Sequence, residues 1–311
     1  MIHENKTSVT EFLLVGFSDL SLPLQHLLFT LFLVIYIITL LGNVIILVTV
    51  TLDSRLHTPM YFFLWNLSIL EMCYISVTMP KVLGDLLSHE RSISFIGCGG
   101  QMYFFISFAT SECFLLAVMA YDRHAAICNP LRYSLIMNSR VCIQMVAGAW
   151  IAAFLLAMGQ TGFIFSRPYC GPNVINHFFC DVPPVISLVC EDTSINEIAI
   201  FVYDVAVILI PFLLILVSYA RVLKAILRIR SVEGRRKAFS TCASHLISVS
   251  LFYSTGTITY LRPKTSYSLN NDRLLALFYT IMTPMLNPLI YSLRNKEVKR
   301  ALRKILFSQR A

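Results

Sequence analysis

Apolar residues in this chain gather into seven long runs separated by short polar stretches. Each run is near the ~20 residues that cross a bilayer as a helix. Approximate limits are Leu24–Leu52, Pro59–Met79, Gln101–Tyr121, Val141–Ile164, Ile198–Ala220, Ala238–Leu261 and Leu274–Leu293. The pattern predicts an all-α membrane protein built as a seven-transmembrane helix bundle. Ser166 to Asn196 is too long for a mere connector and reads as a folded lid over the bundle mouth. After the seventh run, Lys296 to Phe307 places Val298, Leu302, Ile305 and Leu306 on one face and Lys or Arg elsewhere. That is the pattern of a short amphipathic helix lying in the membrane interface. The chain thus divides into an outer tail (1–23), the bundle (24–294) with its lid (about 165–197), and a cytoplasmic tail (295–311).

Composition agrees. Of 311 residues, 57% are hydrophobic and 14% charged, where a soluble globular domain carries about 25% charged residues. Charge sets the orientation, because Lys and Arg favour the cytoplasmic side. With the N-terminus outside, 18 of the 25 basic residues fall inside: Arg55, Arg123, Arg132, Arg140, the Arg221–Lys237 cluster and the tail from Arg294 to Arg310. The net charge of +8 is therefore a membrane-surface signal, with no soluble domain left over to bind nucleic acid. Residues 1–23 lack the basic start, short apolar core and small-residue cleavage site of a signal peptide, so the first helix is expected to serve as the targeting signal. Of nine cysteines, Cys98, Cys170, Cys180 and Cys190 fall outside, where disulfides persist, and they allow three pairings. His177-Phe178-Phe179-Cys180-Asp181 has metal-ligating residue types, but few other ligands are nearby, and the structural role is favoured.

Several groups inside the runs are polar. Glu71, Glu112 and Asp204 are carboxylates at hydrocarbon depth, and such groups are functional by default. Asn43 and Asn287 lie at similar depth to the two glutamates. This set either holds a sodium ion through oxygen ligands, or keeps one or both acids protonated. Asp204 either bonds a neighbouring helix or recognises a ligand, for which a carboxylate favours a cation or a hydrogen-bond donor. The third run closes on Met119-Ala120-Tyr121-Asp122-Arg123, an acid–base pair where the helix meets the cytoplasm. Arg123 lies eleven positions after Glu112, about three turns and about 16 Å, so the two share a face. Phe105 and Ala109 continue that face outward.

Met-Ala-Tyr-Asp-Arg followed by Ala126-Ile127-Cys128 resembles the third-helix signature of olfactory receptors, a branch of the rhodopsin-like G-protein-coupled receptors. Other stretches resemble the same family in order: Gly42-Asn43; Pro59-Met60-Tyr61-Phe62-Phe63-Leu64; Lys237-Ala238-Phe239-Ser240-Thr241-Cys242-Ala243-Ser244-His245; and Pro284-Met285-Leu286-Asn287-Pro288-Leu289-Ile290-Tyr291. The chain departs from the family at Glu71, where Asp is usual, and at Ser254, where Gly usually follows Phe-Tyr.

The resemblance implies a receptor in the plasma membrane, in cilia of olfactory neurons, that binds a small, mostly apolar odorant. It implies activation of a stimulatory olfactory heterotrimeric G protein, raising cAMP, with no cofactor beyond a candidate sodium ion at Glu71, Glu112 and Asn287. It implies disulfides Cys98–Cys180 and Cys170–Cys190. It implies a ligand cavity at Phe105, Ile106, Ala109, Thr110, Tyr203, Asp204, Val207, Tyr253, Thr257, Tyr260, Leu277 and Thr280, and a coupling switch at Asp122, Arg123, Tyr219 and Tyr291.

The competing class is an ion channel or transporter using the intramembrane carboxylates. The runs show no inverted or tandem repeat, which counts against common transporter designs. An enzyme is disfavoured, because no nucleophile with an adjacent base or metal set stands at an accessible position. Asn5-Lys6-Thr7 is a glycosylation sequon on the outer tail, whereas Asn66-Leu67-Ser68 is discounted because it lies inside the second run. Glycosidase should therefore shift the gel mobility of the wild-type protein and leave Asn5→Gln unchanged; an unshifted wild-type band would remove the glycan.

Overall fold

The structure, a computed structural model, describes residues 9–88, 90–170, 172–191, 194–261, 269–294 and 296–308. The Asn5 sequon lies outside the described residues. Seven long helices cross the molecule: helix one Leu22–Leu52, helix two Pro59–Leu87, helix three Phe95–Cys128, helix four Ser139–Phe165, helix five Ser194–Leu227, helix six Val232–Tyr260, and helix seven, in segments, Leu269–Arg294. A tail helix follows at Lys296–Ser308. Among the described residues six helices are long and apolar enough to span a membrane. Helix six is the seventh: it matches them in length, and its run of Ser, Thr and His residues lowers its hydropathy.

Several helices outrun their apolar cores. Helix two continues past Met79 through Pro80 to Leu87, and helix three begins at Phe95. Helices five and six consume most of the basic stretch expected as an inner loop, leaving residues 228–231 between them. Hydropathy marks only the part of a helix within hydrocarbon. The polar turns beyond it are held by local caps, such as Ser94 Oγ on Gly97 N–H (3.0 Å) and Ser231 Oγ on Gly234 N–H (3.1 Å).

Burial separates lipid-facing from inward faces. In helix one Gln25, Phe32, Thr39, Asn43, Ile46 and Val50 are buried at helical spacing, while Leu27, Leu31, Val34, Leu41 and Val48 are exposed. Gly42 lets helix one approach helix seven closely, since a Cβ there would stand 3.2 Å from Pro288 Cβ. Helices two and three are far more buried. Helix three packs on helices two, four, five and six and forms the axis of the bundle. On the inner side, Val298 and Ala301 of the tail helix are buried in the same core as Tyr61, and Tyr61 Oη donates to Glu297 Oε2 at 2.6 Å.

The outer end carries an element that the apolar pattern does not announce. Residues 1–23 were expected as an outer tail, with no element assigned to them. Instead Glu11–Leu14 forms strand β1, antiparallel to β2 (Ser92–Ser94) and parallel to β3 (Val174–Ile175). Its alternation turns Phe12 and Leu14 inward, both essentially inaccessible, with Phe12 against Phe95 and Tyr169. Gly16 then turns the chain with φ +51°, a conformation that suits glycine. Disulfides Cys98–Cys180 and Cys170–Cys190 fasten the lid, with Cα–Cα distances of 5.5 and 5.4 Å. Gln101 seals the junction, accepting from Cys180 N–H (2.9 Å) and donating to Val77 O (3.1 Å). His177 is buried among Phe178 and Phe179, and its Nδ1 accepts from Phe179 N–H, so both the imidazole and Cys180 serve structure rather than a metal.

Two outcomes follow. Cys98→Ser should lower the thermal midpoint of the purified protein and reduce surface expression sharply, since a native bridge contributes ~2–5 kcal/mol; unchanged stability and expression would deny the bridge its anchoring role. Burial pushes the His177 pKa down to about 3 from 6.5. The unfolded chain therefore binds a proton that the folded cap excludes, and stability present above pH ~6.5 declines as pH falls toward 3. His177→Phe should flatten that part of the thermal midpoint–pH profile.

Candidate functional site

Helices three, five and six, with Tyr74 of helix two, Tyr279 of helix seven and Val182 of the lid, enclose a cavity of about 650 Å³, its open mouth included. Nine of the twelve residues expected there line it: Phe105, Ile106, Ala109 and Thr110 from helix three, Tyr203, Asp204 and Val207 from helix five, and Tyr253 and Tyr260 from helix six. Thr110 and Tyr203 hydroxyls share a hydrogen bond at 3.3 Å, and Tyr253 Oη donates to Cys113 O at 3.1 Å.

Three expected residues stand off the wall. Thr257 is exposed, because helix six turns Tyr253, Gly256 and Tyr260 inward at spacings of three and four. Leu277 and Thr280 are displaced by a π-helical turn at Phe278–Met282. Thr283 N–H bonds Phe278 O five residues back, and this wider turn just before Pro284 brings Tyr279 to the cavity. Thr280 instead bonds its own helix at Ala276 O (2.6 Å), and Leu277 packs in the outer core.

The roof is a carboxylate that residue types alone did not mark. Asp181 follows the disulfide-held Cys180 and caps the short lid helix Val182–Ile186, accepting from Val182 N–H at 2.8 Å. Tyr279 Oη donates to it at 2.7 Å and Tyr260 Oη at 3.1 Å. One buried side chain thus joins the lid to helices six and seven. Gln160 also lines the cavity, from a helix whose outer half has Thr161 as its other polar side chain; an amide at that depth was the available signal.

Below the cavity Glu71, Glu112 and Asn287 come together, all buried. Asn287 Nδ2 donates to Glu71 Oε1 and, at 3.4 Å, to Glu112 Oε1. Asn43 is also buried, but its Nδ2 donates to Thr39 O of its own helix. Glu71 and Glu112 lie within hydrogen-bonding reach of each other, and Asn287 Oδ1 is buried with no hydrogen-bond partner. Buried oxygens of two acids and an amide suit a hard cation or a proton shared between the acids, although no group of three or more His, Cys, Asp or Glu positioned for a metal occurs among the described residues.

At the inner end Arg123 pairs with Asp122, which also accepts from Tyr133 Oη at 2.7 Å. Tyr219 shares a hydrogen bond with His245 Nδ1 (2.7 Å), while His245 Nε2 meets Leu116 O (3.1 Å). His245 therefore ties helix six to helices five and three. Tyr291 is buried in the inner core.

Comparison with known proteins accords with this geometry. Residues 32–309 match the olfactory receptor family model. Among human relatives, olfactory receptor 10A7 is 54% identical over 98% of this chain and 96% of its own length. Olfactory receptor 10C1 is 56% identical over 97% and 96%, and olfactory receptor 10A4 is 56% identical over 98% and 97%. An apolar outer cavity, a buried acid pair and a closed Asp–Arg inner end, on a chain matched over nearly all its length, lead to one assignment: this protein belongs to the olfactory receptor family.

Proposed function

We propose that this protein is a plasma-membrane odorant receptor, in cilia, that binds a small, mostly apolar ligand in the outer cavity and activates a stimulatory olfactory G protein, raising cAMP. The observation that carries the reading is the continuity of helix three. Phe105, Ala109 and Thr110 line the cavity, Glu112 meets Asn287 below it, and Arg123 closes the inner end. One stiff helix therefore touches ligand site, acid pair and exit.

In the resting arrangement Arg123 is paired and His245 holds helix six against helices three and five. Activation moves the inner end of helix six outward and breaks the His245 bonds. Arg123 then turns toward Tyr219 and Tyr291 in the opened cavity, where the G protein enters. Ligand contributes only its differential affinity for the two states, and a shift from 1% to 99% active needs ~5.5 kcal/mol, shared with the G protein. Glu71, Glu112 and Asn287 would hold a sodium ion, Asn287 through its carbonyl oxygen. Both glutamates are inaccessible to solvent, which suits a held ion better than a conduction path, and vesicle flux measurements test that alternative.

Arg123→Ala, matched to wild type in surface level, should retain ligand binding and lose cAMP output. Full signalling by that variant would sink the switch. Replacing choline by sodium should raise the thermal midpoint of the purified receptor, and Glu112→Gln should abolish the increment; a midpoint indifferent to sodium would remove the ion.

A further inference from the structure

The polar atoms on the cavity wall are unevenly used. The hydroxyls of Thr110 and Tyr203 share one hydrogen bond, Tyr253 donates to Cys113 O, and Tyr260 and Tyr279 donate to Asp181. The remaining acceptors on the wall include a pair on helices four and five. Asp204 and Gln160 both line the cavity, within side-chain hydrogen-bonding reach of each other. Gln160 is 7% exposed, and its Oε1 is buried with no partner. With the Gln160 amide N–H directed to the carboxylate, both remaining groups are acceptors. None of the residues lining the cavity is basic.

Two adjacent acceptors require a head group with at least two donors. A hydroxyl carries one O–H and leaves one acceptor unmet, whereas a primary ammonium carries three N–H donors and a compensating charge. A carboxylate inside a membrane bundle is costly without such a partner. The rest of the wall is apolar or aromatic, with Phe105, Phe252 and Tyr253 among it, and aromatic faces attract a cation.

We propose that the preferred ligands are small primary amines, with the nitrogen between Asp204 and Gln160 and the apolar body among Ile106, Val207 and Phe252. This rests on the reading of the cavity as the odorant site, so the test separates the two. Full-length receptor in nanodiscs is titrated with hexylamine, cyclohexylmethylamine and 2-phenylethylamine. Each is compared with its matched alcohol and its N,N-dimethyl derivative, and binding is read by saturation-transfer NMR and thermal shift.

The amines should bind at least about tenfold more tightly than the alcohols, the scale of a charge-assisted hydrogen bond. The N,N-dimethyl derivatives, with one N–H left, should bind more weakly than the primary amines. Asp204→Asn, an isosteric change, should erase the advantage over alcohols, and Gln160→Leu should erase the preference for primary over dimethylated nitrogen. Alcohols binding as well as amines in all three series, an amine advantage that survives Asp204→Asn, or no binding by any amine would each overturn the proposal. Ala109→Trp fills the cavity. If it abolishes the binding that Asp204→Asn leaves untouched, the amine assignment fails while the cavity stands; if binding survives Ala109→Trp, both fail.

Discussion

Hydrocarbon offers a polar side chain no partner, so every polar group within the membrane must find one in the protein. In this receptor helix three is where most of those obligations meet. Gln101 bonds the lid and helix two, Thr110 meets Tyr203 of helix five, and Glu112 meets Asn287 of helix seven. Its backbone carbonyls serve as well: Cys113 accepts from Tyr253, and Leu116 meets His245, both of helix six. The placement of the other helices depends on this ladder, around which apolar side chains fill the remaining space.

The ladder is strong in number and weak in each rung. Hydrogen bonds between membrane helices average about 0.6 kcal/mol and rarely exceed about 2. Any single rung is therefore exchangeable at a cost small beside the ~5.5 kcal/mol that a complete population shift requires. A bundle joined in this way is held by many rungs, none of them costly to exchange by itself.

The two ends of the bundle are fastened by different chemistry. Outside, two disulfides, a three-stranded sheet and the Asp181 roof bind the lid to helices three, six and seven. Inside, helix six is held to helices three and five through His245 and its hydrogen bonds. Closure is thus covalent at the outer end and non-covalent at the inner end.

Much of this was legible from residues alone. Seven apolar runs specify seven helices, because only a helix satisfies its own backbone in lipid. Helical spacing puts Phe105, Ala109, Glu112 and Arg123 on one face whatever the neighbours do. Other features needed the tertiary structure. In a membrane the lipid-facing and core-facing sides of a helix are both apolar, so periodicity does not tell inward from outward, and only the packed bundle puts Gly256 on the cavity and Thr257 on the exposed side. The wide turn before Pro284 shifts the register of helix seven, which exchanged Thr280 for Tyr279 at the cavity. Strand β1 is too short and too mixed to announce itself, and it exists because β2 and β3 offer it edges. Four outer cysteines permitted three pairings on spacing alone, and only the docking of the lid on helix three brings Cys98 within reach of Cys180. The chain by itself determined which segments are helices and which groups need partners; the packed bundle decided which partners they have, because contacts between distant segments exist only once those segments are side by side.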